Sequence, residues 1–258
     1  TNDASVLAIS GMTPWVRNYL VSRPGLLVIP RDFWLDNFNL IQLPPIIDAW
    51  IQQTVVRARG IDFPPGWLYQ HALERILAES DATEAPSSKT NKATETAAAL
   101  ALVDDIVQAA AQLLYQLVHQ RYAVAPRGLE ALRRRFVVWQ HQTLPKYPHQ
   151  APPYGQCPCA DCHGFPLIPS GPGVPGPPDG DDENEYNKAT TKNDAVGVPV
   201  DQRNWRYCGR CQVYWRTMSH TTMESSEGYA WGKSLGPLFH LTYPAFLQPL
   251  DAATITSS

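Results

Sequence analysis

All five cysteines of the chain fall in two short hooks, Cys157-Pro158-Cys159-Ala160-Asp161-Cys162 and Cys208-Gly209-Arg210-Cys211. A turn with two residues between cysteines lets both sulfurs converge on one ion. A second such pair closes a tetrahedron of thiolates and leaves no open position for water. The chemistry this predicts is a structural zinc site, one zinc per chain. Cys208 and Cys211 form one hook without ambiguity. In the other, Cys162 can pair with Cys157 across four residues or with Cys159 across two, and spacing alone leaves both open.

Two other chemistries fit the cysteines less well. Disulfides would pair an even number of thiols, and a chain of 258 residues does not depend on staples to fold. The segment Pro158-Cys159-Ala160-Asp161-Cys162 matches half of the zinc-deaminase signature, whose other half is a His-x-Glu supplying a ligand and the acid/base. The nearest counterpart, His71-Ala72-Leu73-Glu74, has one residue too many, and a deaminase site would leave Cys208 and Cys211 without a role. His71 is expected to be a surface or packing histidine, and no catalytic residue is assigned.

The elements that must position the hooks differ on their two sides. Tyr207 before the second hook and Gln212-Val213-Tyr214-Trp215 after it read as strands, and the aromatic and β-branched run Leu238-Phe239-His240-Leu241-Thr242-Tyr243 reads as a further strand of a small antiparallel sheet. Everything before the first hook reads as helix. Thr13 followed by Pro14 is an N-cap with proline at the first helical position, and Pro24-Gly25 ends that helix. Leu26-Leu27-Val28-Ile29 is expected to be extended. Pro30 opens a helix carrying Trp34, Leu35 and Phe38 inward, and helices are predicted over 46–57 and 69–77. Residues 79–96, almost free of large apolar side chains, are predicted to be a flexible loop.

The longest predicted helix runs over 97–124, with Leu100, Val103, Val107, Ala110, Leu114 and Leu117 forming one apolar stripe. After Pro126 a second helix turns Leu129, Leu132, Phe136 and Val137 inward and Arg133, Arg134 and Arg135 largely outward. A Pro- and His-bearing linker is expected over 140–153. Ten of the 24 prolines lie within residues 151–200, so the stretch 172–198 reads as a disordered insertion between the hooks. The expected fold class is α+β, with a helical domain over 1–150, a zinc-ribbon dimerisation module over 151–250 and a tail over 251–258.

Composition narrows the function classes. Charged residues make up 17%, and a net charge of −3 does not suit a surface built throughout for phosphate backbones. Nucleic acid is therefore not an expected partner. No apolar run is read as a membrane span, since Asp104-Asp105 interrupts the Ala-rich stretch near residue 100. A soluble, intracellular protein of cytoplasm and nucleus is expected.

Four motifs in order, the third formed by the two cysteine hooks, resemble the casein kinase II regulatory (beta) subunit family. Ile29-Pro30-Arg31-Asp32-Phe33-Trp34-Leu35-Asp36-Asn37-Phe38-Asn39-Leu40 is similar to Val-x-x-Asp/Glu-Tyr/Phe-Ile-x-Asp-x-Phe-Asn-Leu. Leu114-Tyr115-Gln116-Leu117-Val118-His119-Gln120-Arg121-Tyr122 is similar to Leu-Tyr-Gly-Leu-Ile-His-Ala-Arg-Tyr. Tyr154-Gly155-Gln156-Cys157-Pro158 with Cys162, and Tyr207-Cys208-Gly209-Arg210-Cys211, resemble the family's two hooks, although its second hook has proline where this chain has Gly209. Glu227-Gly228-Tyr229-Ala230-Trp231-Gly232-Lys233-Ser234 resembles Asp/Glu-Gly-Ala-Phe-Trp-Gly-Thr-Ser. Trp215-Arg216-Thr217-Met218-Ser219-His220 departs from the family wording.

The resemblance implies Cys157, Cys162, Cys208 and Cys211 as ligands, with Cys159 extra. It implies a non-catalytic chain that forms a homodimer through its zinc ribbons and recruits two catalytic kinase subunits, shaping their choice of protein substrates. Pro158, Val213, Tyr214 and Trp231 are the expected dimer-interface residues. The absence of a Gly-rich phosphate loop, a His-Arg-Asp and an Asp-Phe-Gly agrees with a regulator of a Ser/Thr protein kinase rather than an enzyme. The family's docking tail has no recognisable counterpart in residues 250–258, so kinase-docking residues are not assigned. The alternative is a zinc-ribbon structural protein in a nucleic-acid or ribonucleoprotein assembly, with Arg203, Arg206, Arg210 and Arg216 as a basic edge.

Overall fold

The computed structural model describes residues 12–53, 61–79, 93–147, 149–171, 205–216 and 230–244. Residues 80–92 of the loop read over 79–96, the insertion at 172–198, the segment Glu227-Gly228-Tyr229 and the tail at 251–258 lie outside the described residues, and 93–96 of that loop are helical instead. The chain divides into two compact units, Thr1–His119 with Val174–Asp201, and Gln120–Gly173 with Gln202–Ser258.

The described part of the first unit is helical. Helix α1 (Pro14–Val21) starts as its sequence requires, with the Thr13 hydroxyl accepting from the Val16 N–H at 3.4 Å and proline in the first turn. The same hydroxyl donates to the Ile76 carbonyl at 2.6 Å, tying α1 to the end of α5. Helices α2 (Arg31–Leu35) and α3 (Asn37–Leu40) replace the single helix expected after Pro30. Asp36 causes the break. Its backbone is extended and its carboxylate caps the Phe38 N–H, starting a new helix in a new direction. Trp34 and Leu40 are therefore buried, whereas Leu35 and Phe38, expected inside, are 60% and 79% exposed.

Helices α4 (Leu43–Ile51) and α5 (Trp67–Leu77) supply Leu43, Ile47, Ile51, Leu68, Ala72 and Ile76 to the core. Helix α6 (Ala93–Val124) begins earlier than expected and runs through His119 in the first unit and from Gln120 in the second. Of its apolar stripe Val107, Ala110 and Leu114 are buried, Val103 and Leu117 are half-buried, and Leu100 is 65% exposed. By length and composition Ala98–Val124 could cross a membrane, contrary to the expectation that no run would qualify. The same helix carries the core's polar clamp. The Tyr115 hydroxyl donates to the Leu27 carbonyl at 3.1 Å, and the Leu27 N–H donates to His119 Nε2 at 2.9 Å. Both side chains are fully buried, so the extended residue 27 has its two backbone groups satisfied by one helix.

In the second unit, helix α7 (Pro126–Val138) buries Leu129, Leu132 and Phe136. The linker expected from residue 140 instead begins as a π-helical turn, Trp139–Thr143, in which the Leu144 N–H reaches the Trp139 carbonyl at 2.8 Å. A three-stranded antiparallel sheet follows in the order β1 (Ile168–Pro169), β2 (Trp205–Cys208), β3 (Val213–Arg216), with Ile168 opposite Tyr207 and Cys208 opposite Val213. The strand read at 238–243 is helix α8 (Leu235–Thr242). Leu235 and Phe239, four apart, are both buried, and Pro237 sits in the first turn, where its missing N–H costs nothing. Phe239 packs on Phe136 at 5.7 Å between ring centroids, and Trp231 meets Tyr154 edge-on at 5.8 Å.

Candidate metal centre

Each hook is shaped by its own backbone. At the first, the Cys157 N–H donates to the Phe165 carbonyl at 2.8 Å, and the Cys162 N–H to the Cys159 carbonyl at 3.1 Å, making the short 3-10 turn Ala160–Cys162. His163 and Gly164 then take left-handed backbone, with φ of 49° and 73°, and reverse the chain. At the second, Cys208 ends β2 and the Gln212 N–H returns to the Cys208 carbonyl at 2.8 Å, with Gln212 left-handed before β3 begins. Both hooks are tight turns that point sulfur inward.

The turns bring four sulfurs together. The Sγ atoms of Cys157, Cys162, Cys208 and Cys211 lie within 4.8 Å of one another. Cys157 to Cys211 and Cys162 to Cys208 are each 3.8 Å apart. A disulfide requires about 2.05 Å. A tetrahedral ion bound by four thiolates at about 2.3 Å has sulfur-to-sulfur edges of about 3.8 Å, so the donor set fits zinc in chemistry and in spacing. The hook left ambiguous by spacing is resolved geometrically, because Cys159 is half-buried and outside the four-sulfur group among the described residues. His71 does not join them either; its ring bonds the Trp67 carbonyl at 2.9 Å and stacks on the Trp67 ring.

The four sulfurs sit in unequal surroundings. Cys157, Cys162 and Cys208 are buried and Cys211 is half-buried. Burial pushes the Cys162 thiol far up and the Cys208 thiol up to about 11. Burial also raises the Cys211 thiol, but its polar neighbours, the Trp215 side chain, Cys208, the Val213 N–H and Cys162, outweigh it and bring the thiol down to about 7. Without a cation, Cys162 and Cys208 hold their protons. A divalent ion displaces those protons and neutralises the thiolates it gathers.

Around the cluster, the expected interface residues separate. Pro158, Val213 and Tyr214 are exposed, and the Tyr214 hydroxyl donates to the Lys233 carbonyl at 2.9 Å. Trp231 is fully buried within its own unit. The basic edge loses a member: Arg206, expected on it, is buried, with its guanidinium 5.9 Å from the Tyr154 ring centroid and bonded to the Trp205 carbonyl. Arg210 is exposed, and Arg203 lies outside the described residues. The arginine triplet of α7 is occupied within the unit, Arg133 and Arg134 by Glu130 and Arg135 by the Tyr154 hydroxyl at 2.9 Å.

Sequence reasoning missed one residue beside the cluster. Helix α8 places the His240 ring against Gly209, where an added Cβ would stand 2.6 Å from His240 Nδ1. Reading 238–243 as a strand hid it.

Comparison with protein families gives one match. The family described as casein kinase II regulatory subunit matches residues 14–173, which hold the first hook and the helices before it. The second hook lies beyond that match, so its pairing with the first rests on the geometry above. A comparison with curated proteins finds no match.

Proposed function

The chain belongs to the casein kinase II regulatory subunit family, and on that premise we propose that it binds one structural zinc per chain, dimerises through the metal-closed ribbon and carries two catalytic kinase subunits. The family is non-catalytic. Regulation of a Ser/Thr protein kinase is then a matter of assembly, in cytoplasm and nucleus, with protein substrates chosen by the assembled complex. The observation that carries the reading is the pair of 3.8 Å sulfur separations, which match the edge of a tetrahedral zinc-thiolate site.

The proposed ligands are Cys157, Cys162, Cys208 and Cys211. The metal would supply fixed geometry and charge neutralisation. The chain's own groups do the rest: the hook turns aim the sulfurs, and the strands leaving Cys208 and Cys211 hold Val213 and Tyr214 outward. Together with Pro158 they form the proposed dimer face, with Trp231 filling the core beneath rather than touching the partner. Metal-thiolate bonding on the order of 10–16 kcal/mol would offset the small core of a ribbon with only ten strand residues among those described.

Native mass spectrometry of the chain, alone and mixed with a casein kinase II catalytic subunit, tests the whole reading. The expected species are a dimer with one zinc per chain and a complex of that dimer with two kinase chains. A zinc-bearing dimer that takes up no kinase would remove the scaffold role and leave the fold.

A further inference from the structure

Between α5 and the first half of α6 lies an open groove of about 720 Å³. Its walls are mainly apolar, with Trp67 contributed by α5 and Leu100, Val103 and Val107 by α6. Leu100 is 65% exposed, although it belongs to the same stripe that buries Val107. Small-molecule sites are usually concave spaces of about 300–1,000 Å³, mostly apolar, with a few placed polar groups. The groove has that size and that kind of wall.

Its walls are already fixed. Trp67 stacks on Phe63 at 4.7 Å and on His71 at 3.8 Å between ring centroids, which holds the aromatic side in place. Arg75 of α5 reaches across to α6, bonding the Asp104 carboxylate, the Asp104 carbonyl at 3.3 Å and Gln108 at 3.4 Å, which sets the width. The same pairing neutralises the arginine. Two polar groups remain open to a ligand. The Glu74 carboxylate accepts from the Gln70 amide at 3.1 Å and pairs with no cation among the described residues. His71 Nδ1 bonds the Trp67 carbonyl at 2.9 Å, an oxygen that can only accept. Nδ1 therefore carries the hydrogen, and Nε2 of the neutral ring presents a lone pair. Three residues apart on α5, His71 and Glu74 share one helix face, and both line the groove.

We propose that this groove binds a small organic cation with a rigid apolar body, the body lying along Trp67, Leu100 and Val103 and a primary ammonium donating to the Glu74 carboxylate and His71 Nε2. Charge selects the occupant. With Arg75 held by Asp104, an anion would face the Glu74 carboxylate without a counter-ion. A neutral apolar molecule would cover the walls and leave both acceptors to water. An ammonium on an apolar body uses the walls and the acceptors together. The site lies wholly within the helical unit and depends on neither the metal nor the kinase scaffold.

The test uses the full chain and three probes of nearly one shape, naphthylmethylammonium, naphthylmethanol and naphthoate, titrated by NMR. The ammonium should saturate one site per chain and bind about 5-fold more tightly than the alcohol, the size of one solvent-exposed ion pair. Naphthoate should bind most weakly. Glu74→Gln should remove the advantage of the ammonium and leave the alcohol unchanged, whereas Leu100→Ser should weaken both alike. Both side chains are exposed, so neither change disturbs the core. In the unsubstituted chain, nuclear Overhauser effects from naphthyl protons to the Leu100 and Val103 methyls should locate the probe without any variant. Naphthoate binding as tightly as the ammonium, an advantage that survives Glu74→Gln, or naphthyl protons that touch neither methyl group would overturn the inference. So would a groove covered by a second copy of the chain, seen as Leu100→Ser abolishing self-association while the unsubstituted chain takes up no probe.

Discussion

The two units bury polar groups in opposite ways. In the first, Tyr115 and His119 are sealed in the core, and each meets a backbone group of Leu27 at hydrogen-bond distance. The clamp is complete within the protein. In the second, Cys157, Cys162, Cys208 and Cys211 face one another, and their thiols meet only through weak sulfur-to-sulfur contacts of 3.8 Å. One core is closed by its own chain, and the other gathers a donor set that a metal would close. The two should therefore fail separately.

Removing the metal should produce the largest separation. Cys208→Ser, or a strong chelator, should remove contributions on the order of 10 kcal/mol from the ribbon and leave α1 to α5 and the first part of α6 folded. Hydrogen exchange resolves the outcome: the amides of β2 and β3 lose protection while that of Leu27 keeps it. Simultaneous loss of both would mean that the first unit has no stability of its own.

The converse perturbation is smaller. Tyr115→Phe leaves the Leu27 carbonyl without its donor, and His119→Phe strands the Leu27 N–H. Each should cost about 1–3 kcal/mol in denaturant unfolding of the first unit with metal loading unchanged. Loss of metal in either variant would contradict the division of labour.

The same contrast explains what could be read from sequence. Cysteine spacing announces its chemistry because thiolate geometry is local, and both hooks were legible. Choosing Cys157 over Cys159 came from the family resemblance and not from spacing, since it depends on where the whole turn carries each sulfur. Helix starts were legible at Thr13-Pro14, where a cap is a matter of neighbours. Leu35 and Phe38 were misplaced because one carboxylate, Asp36, starts a second helix and turns the apolar face to solvent. Helix α8 was mistaken for a strand because aromatic and β-branched residues suit pleated surfaces. Here burial of Leu235 and Phe239 on one face, and close approach of Gly236 to Tyr207, decide for the helix. Tertiary context outweighed local preference.

That close approach offers a finer test. Gly236→Ala places a methyl carbon against the Tyr207 Cβ, an atom that cannot swing aside, and should destabilise the second unit by about 1–3 kcal/mol. Gly209→Ala meets the His240 ring first, so its cost should be largely relieved in the double variant with His240→Ala. Thermal unfolding of the four proteins checks this, and equal costs with and without His240 would show that Gly209 is needed for something other than that ring.

The smallest expected effect lies on the surface of α7. The Glu130 carboxylate bonds Arg133 at 2.7 and 2.9 Å and Arg134 at 3.2 Å. The Arg133 bonds above all lower its pKa from 4.5 to about 2, against the opposing effect of burial. A lowered carboxylate pKa stabilises the fold above the unfolded value, so the contribution is whole above about pH 4.5 and disappears as pH falls towards 2. The pairs are one helical turn apart and open to solvent, where such bridges contribute about 0.5–1 kcal/mol at most. Glu130→Gln should therefore lower stability slightly at neutral pH and not at all near pH 2, and the difference should shrink in molar salt. A difference that persisted in salt would assign Glu130 a buried role, and would make α7, like the first unit, a place where the chain closes its own polar groups.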